Sequence, residues 1–174
     1  MGCGWRNFGS DWVHIDGGDY EHLDYNSITK LEFNDNSVDL IYASHVLEYF
    51  DRTEAANLLR EWRRVLKDGG IVRLAVPNFS ILSLLYIAGD MKLGNVLGPL
   101  YGRMSMGENT IYHKTVYDLQ DLTLFLTQQG FRDIKEYNWR ETEHAQFDDH
   151  SQAYFPHMDK ENGILVSLNV EAKK

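Results

Sequence analysis

Two short apolar runs without alternation, Val38 to Ala43 and Ile71 to Val76, flank one strongly marked helix, and this block constrains the fold more than any other part of the chain. Runs of this kind, broken only by Asp39 and Arg73, suit parallel strands covered on both faces. Asp51 can cap the intervening helix, and Glu54 three residues on completes a capping box. Leu58, Leu59, Trp62, Val65 and Leu66 form an apolar stripe at helical spacing. Arg63, Arg64 and Lys67 complement the dipole at its end, and Gly69-Gly70 stops it. A strand, a helix and a second strand in this order make a right-handed crossover unit.

The remaining elements are read around this block. Trp12 to Ile15 is a short strand ending at Asp16, Ile81 to Ala88 a short apolar helix, and Gly89 to Gly107, with five glycines and a proline, a loop-rich cap. A second helix begins at Thr115 and stops at Gly130, carrying Leu119, Leu122, Phe125 and Leu126 on one face. Phe131 to Trp139 reads as a strand, and the alternation from Ile164 to Val170 as a final strand with one partly solvent-facing side. The expectation is an α/β fold whose sheet is mostly parallel with an antiparallel edge, and helices on both faces. There is no internal repeat and no linker, so residues 1–174 form one domain, with 1–79 as a cofactor half and 80–174 as lid and closing strands.

In open sheets of this class, ligands bind at the carboxyl ends of the strands. Gly2 and Gly4 let the backbone approach a ligand without a Cβ in the way, although an ordinary turn also explains a Gly-x-Gly. Asp16 stands where a carboxylate accepts both ribose hydroxyls, or where it simply ends a turn. A dinucleotide fingerprint needs a third glycine at position 7, which is Asn7. The seven residues Trp5 to Asp11 also leave room for no more than about one helical turn. A pyrophosphate would lose its helix N-terminus there, whereas S-adenosylmethionine has no phosphate to anchor.

Residues 2 to 79 then resemble the class I S-adenosylmethionine-dependent methyltransferases, in particular the small type 11-like proteins. The resemblance rests on Leu31 to Tyr42, on Ser44-His45-Val46-Leu47-Glu48-Tyr49, on Leu59 to Gly70, and on Arg73 to Asn78. It implies a Rossmann-like sheet and S-adenosylmethionine as cofactor. Gly2, Cys3 and Gly4 would then face the methionine part, Asp16 the ribose and Asp24 the adenine, with Ser44 and His45 bordering the sulfur. His45 and His113 are the candidate general bases for an acceptor that must lose a proton, and Tyr112 is a weaker one. The chain departs from the family in three places. The hydrophobic strand that precedes the glycines is absent, Tyr49 replaces a histidine, and Asp68 stands where proline is common.

The bulk numbers narrow the partners. A net charge of −9 argues against a nucleic-acid backbone, and 43% apolar with 13% aromatic residues argues against disorder. Cys3 is the sole cysteine, so there is no intrachain disulfide, and no apolar stretch or leader points to a membrane or to secretion. These features imply a cytoplasmic domain with no membrane partner. The segment Glu141 to Asp159, with His144, Asp148, Asp149, His150, His157 and Asp159, reads as a solvated acidic loop and not a metal site. The expected activity is methyl transfer to a small-molecule or glycan acceptor, with a homodimer possible across the incomplete sheet. Its rivals are a degenerate non-catalytic domain and an NAD-dependent oxidoreductase.

Overall fold

The computed structural model describes residues 1–106 and 109–174. The central block forms as its pattern requires: strand β1 (Val38–Ser44), helix α1 (Arg52–Val65) and strand β2 (Leu66–Pro77), with the two strands parallel. Asp51 accepts from the N–H groups of Thr53 and Glu54, while the Glu54 side chain accepts from the Asp51 N–H, so both halves of the capping box are closed. The helix ends at Val65, and β2 starts at once at Leu66, with Gly69-Gly70 inside the strand and a register shift opposite Val38 to Leu40.

Beyond β2 the chain forms α2 (Phe79–Ala88), α3 (Leu93–Tyr101), the strands β3 (Met104–Met106) and β4 (Asn109–Ile111), and α4 (Leu119–Gln128). It closes with β5 (Arg132–Glu136), β6 (Tyr154–Phe155), β7 (Ile164–Leu165) and β8 (Ser167–Lys173). The main sheet has four strands in the order β1-β2-β8-β5. Only β1 and β2 are parallel, because β8 pairs antiparallel with both β2 and β5. The sheet is therefore mixed, not mostly parallel as the sequence suggested. Among the described residues, Trp12 to Ile15 is no strand, since only the single parallel bridge Ile15–Tyr25 supports it.

Side-chain alternation divides the sheet into two unlike faces. Ile41, Ala43, Val72, Leu74, Val76, Leu168, Val170 and Ala172 face α1 and α4 and bury Leu58, Leu59, Trp62, Leu122 and Leu126 between them. The opposite face carries Tyr42, Arg73, Ser167 and Asn169, all buried. It is covered not by helices but by irregular chain, including the single-turn helices at Trp139–Glu141 and His150–Gln152. The expectation of helices on both faces fails there. So does the reading of 141–159 as a solvated loop, because His144, Asp149, Ser151 and Gln152 are buried under the sheet. Strand β8 has no solvent-facing side for the same reason: it lies between two neighbours and under this segment.

Three boundaries also move. The second helix starts at Leu119, capped by Asp118, and not at Thr115. The cap stretch holds helix α3, whose glycines and Pro99 hid it, while Gly107 lies outside the described residues. Chain 131–139 keeps strand geometry only over Arg132–Glu136. Among the described residues, no helix is long and apolar enough to cross a membrane.

Helix α1 also holds the loop before β1 in place. Trp62 Nε1 donates to the Ile28 carbonyl at 2.9 Å, and the Leu31 N–H donates to Glu61 Oε1 at 2.8 Å. Arg64 donates to the Phe33 and Leu31 carbonyls, to Asp35 and to Glu61. This cation and the Leu31 N–H hold the Glu61 carboxyl down at about 2. Replacing Trp62 with Ala is expected to cost about 3–5 kcal/mol by cavity formation alone, read as a lower urea midpoint. Because the Glu61 carboxyl ionises more readily in the folded chain, it stabilises above its unfolded value of 4.5 and that contribution is lost as pH falls towards 2. Glu61→Gln should therefore flatten the stability profile between those two pH values.

Candidate functional site

At the carboxyl end of β1 a pocket opens to solvent, with Gly2, Cys3, Ser44, Asp149 and His150 among its lining residues. The rings of Phe8, Trp12 and Tyr42 and the Arg6 side chain complete its wall. The glycine bend is held from two directions. The Gly2 N–H donates to the Ile15 carbonyl at 2.7 Å, and the Gly4 N–H donates to Asp16 Oδ2 at 2.7 Å. Both glycines adopt left-handed backbone, with φ of 64° and 57°, and a Cβ at Gly2 would strike Val46. Glycine is needed at position 2 on both counts.

Asp16 thus converges with the glycine bend, as its place in the chain implied. Its carboxylate is 8% exposed, and its second oxygen accepts the Gly18 N–H at 2.7 Å. Asp24 lies further off and accepts the His14 N–H at 2.7 Å, so its carboxylate supports the backbone of the neighbouring turn. Of the residues assigned to the cofactor from sequence, Gly2, Cys3 and Ser44 line the cavity, whereas Gly4, Asp16, Asp24 and His45 stand behind or beside it.

The far wall was not legible in the sequence. Asp149 Oδ2 accepts the Tyr42 hydroxyl at 2.6 Å, while Oδ1 accepts the Ser44 hydroxyl at 3.2 Å and the Ser151 N–H at 2.7 Å. Burial and the Asp149 charge drive the Tyr42 phenol far above its ordinary value, so it stays a donor. The His144 ring stacks on Tyr42 at 3.7 Å between centroids, and burial pushes its pKa down to about 4. Among the described residues, no group of three or more His, Cys, Asp or Glu is placed to hold a metal ion.

The two candidate bases meet elsewhere. His45 follows Ser44 in left-handed backbone, φ 53°, and its Nδ1 lies 3.3 Å from Glu48 Oε1. His113 Nε2 lies 3.8 Å from the same oxygen, and its Nδ1 contacts the Pro99 carbonyl at 2.9 Å. Burial lowers the pKa of both imidazoles, that of His45 furthest. Tyr112 is exposed. His150, unlike these, lines the cavity, with its ring 5.1 Å from that of His45.

This order of strands and helices around a glycine bend can be set beside known proteins. Residues 14–74 match the family model described as methyltransferase domain. The chain resembles the class I S-adenosylmethionine-dependent methyltransferases. A candidate O-methyltransferase from Nostoc punctiforme superposes with a TM-score of 0.51 at 16% identity, over 89% of this chain and 36% of that one. A candidate histamine N-methyltransferase from Thermotoga maritima gives 0.51 at 15% identity, over 87% of this chain and 63% of that one. These likenesses concern the fold, and the chain spans about a third of the first protein's length and under two-thirds of the second's. No curated protein sequence matches the chain.

The Asp149 cluster sets a measurable expectation. Asp149→Ala leaves the buried Tyr42 hydroxyl without its acceptor, which should destabilise the chain by about 1–3 kcal/mol in urea unfolding. Asp149→Asn, which keeps one acceptor oxygen, should recover part of that loss.

Proposed function

We propose that this chain transfers a methyl group from S-adenosylmethionine to a small-molecule or glycan acceptor. The observation that carries the reading is the make-up of the cavity at the end of β1. A glycine bend, a carboxylate at Asp149 and three aromatic rings converge there, a lining that suits a cationic, partly apolar ligand. When bound, the cofactor supplies a methyl group already activated by a sulfonium charge.

The residues present fit that group at its methionyl and sulfonium end. Gly2 and Cys3 bring backbone close, Ser44 offers a hydroxyl held by Asp149, and Asp149 supplies the counter-charge. At the ribose end, Asp16 retains one acceptor site on each oxygen beyond the Gly4 and Gly18 N–H groups. His150 is the imidazole beside the cavity, and desolvation together with the Arg6 charge lowers its pKa, which favours the neutral form that can take a proton from a hydroxyl acceptor.

A second reading, a non-catalytic domain, is favoured by one observation: Asp16, His45 and His113 are all engaged by the chain's own atoms. Calorimetry with S-adenosylmethionine and its demethylated product separates the two. The enzyme reading expects both to bind, with Asp16→Ala weakening them about tenfold or more, the worth of a hydrogen bond to a charged group. No binding of either compound would favour the non-catalytic domain, and binding of NAD in their place would favour hydride transfer.

A further inference from the structure

Glu48 is a carboxyl group with an unusual position. Its residue is 1% exposed, and no N–H or O–H of the described residues donates to either of its oxygens. An ionised carboxylate without donors or a cation is among the costliest groups to bury. The cations on neighbouring elements are engaged elsewhere: Arg52 is paired with Asp121, and Lys114 with Glu54.

Hydrogen-bond accounting shows what faces Glu48 instead. The Pro99 carbonyl only accepts, so His113 Nδ1, 2.9 Å away, carries the proton and leaves Nε2 as a bare acceptor towards Glu48. On the other side the chain of donors starts at the Ser151 carbonyl. Asn169 Nδ2 donates to it at 2.8 Å, which turns Asn169 Oδ1 towards Ser167. The Ser167 hydroxyl donates to that oxygen at 2.9 Å, and its own lone pair faces His45 Nε2 at 3.4 Å. His45 therefore carries its proton on Nε2, and its Nδ1 is bare towards Glu48 at 3.3 Å. Neither imidazole donates to Glu48: His45 Nδ1 is the nearer at 3.3 Å and His113 Nε2 lies beyond hydrogen-bond reach at 3.8 Å, so a proton on the carboxyl is what spares it an unpaired buried charge.

The location gives this proton a mechanical role. Glu48 lies in the single turn Leu47–Tyr49 just after β1, and its carbonyl accepts the N–H groups of Lys114 and Thr115. The Tyr49 hydroxyl donates to the Gly102 carbonyl at 3.0 Å, and a Cβ on Gly102 would overlap the His113 ring. The stretch that carries α3 and the paired strands β3 and β4 is thus fastened to the cavity end of β1 around this one residue. We propose that Glu48 is an uncharged acid that clips residues 99–106 and 109–115 to the end of β1, with its proton turned towards His45 Nδ1, and that its ionisation releases the clip.

The groups around the carboxyl support this assignment. Facing it are His45 from the end of β1, His113 and Tyr117 from the loop before α4, and Tyr49 from its own turn, with His150 behind the two histidines. Burial lowers the pKa of His45 and His113, which favours their neutral form, and raises the Glu48 carboxyl from 4.5 to about 8. The sign follows: the folded chain binds this proton more tightly than the unfolded one. Its stability declines as pH rises from 4.5 to about 8 and levels off above.

Nuclear magnetic resonance on the isotopically labelled full chain tests the clip without any cofactor. Near neutral pH the expected tautomers are Nε2–H for His45 and Nδ1–H for His113, with the Glu48 carboxyl carbon titrating near 8. Hydrogen-exchange protection of residues 99–106 and 109–115, corrected for intrinsic rates, should fall about tenfold per pH unit as pH rises towards that midpoint and level off above it. Glu48→Gln, neutral at every pH and still a donor, should abolish that step. An imidazolium signal from either histidine at neutral pH, or the same step in Glu48→Gln, overturns the proposal. Should the variant not fold, the tautomer signals and carboxyl titration of the unaltered chain decide alone. Neither readout depends on methyl transfer, so failure here leaves the proposed activity standing, and the reverse.

Discussion

The carboxylate of Asp149 is the tie on which the second face of the sheet depends. It joins Tyr42 and Ser44, at the end of the first strand, to a turn more than a hundred residues away. Without it, the buried Tyr42 hydroxyl and the neighbouring Ser44 hydroxyl would lose their acceptor. With it, irregular chain does the covering that helices do on the other side. That choice has a structural reason. Irregular backbone offers free carbonyls and amide groups to polar side chains, whereas a helix face offers mainly side chains. The Asn169 amide bonded to the Ser151 carbonyl is one such contact.

The two faces divide the labour of the molecule. The apolar face, with Trp62 and Leu59 at its centre, supplies stability through contacts that do not depend on pH. The polar face and the strand ends hold the groups that do. Arg73 is held between Glu143 and Glu171, His144 is buried neutral against Tyr42, and Glu48 sits uncharged between two imidazoles. Polar interiors of this kind tolerate little rearrangement, because each donor has one suitable acceptor. The cavity beside them inherits that fixity on the Ser44 and Asp149 side. On its other side it is bounded by the glycine bend, which rests on only a few backbone contacts.

Much of the crossover unit was legible because its signals are local. The Asp51–Glu54 box, the stripe from Leu58 to Leu66 and the unalternating runs each act within a few residues, and each appears in the structure. The clustering of Asp16 with Gly4 was also foreseeable, since twelve residues and one turn separate them. Where the reading went astray, the deciding contact was distant. The pattern at Ile164 to Val170 promised one wet side, yet β8 lies between β2 and β5 and is covered on both faces. Charged spacing at 141–159 promised solvent, yet Asp149 and His144 turn inwards. His45 and His113 were both singled out from the sequence, but no spacing indicates that both lie close to Glu48.

The sequence by itself determined the crossover unit, with its capped helix and parallel pair of strands, and the glycine bend, because capping, periodicity and backbone freedom are properties of neighbouring residues. Tertiary structure alone decided which strand lies central, which acidic side chains are buried and which atoms face the cavity. Those outcomes depend on pairings across sixty to more than a hundred residues, where the free energy of burying a polar group rests on the partner it meets and not on the residues beside it.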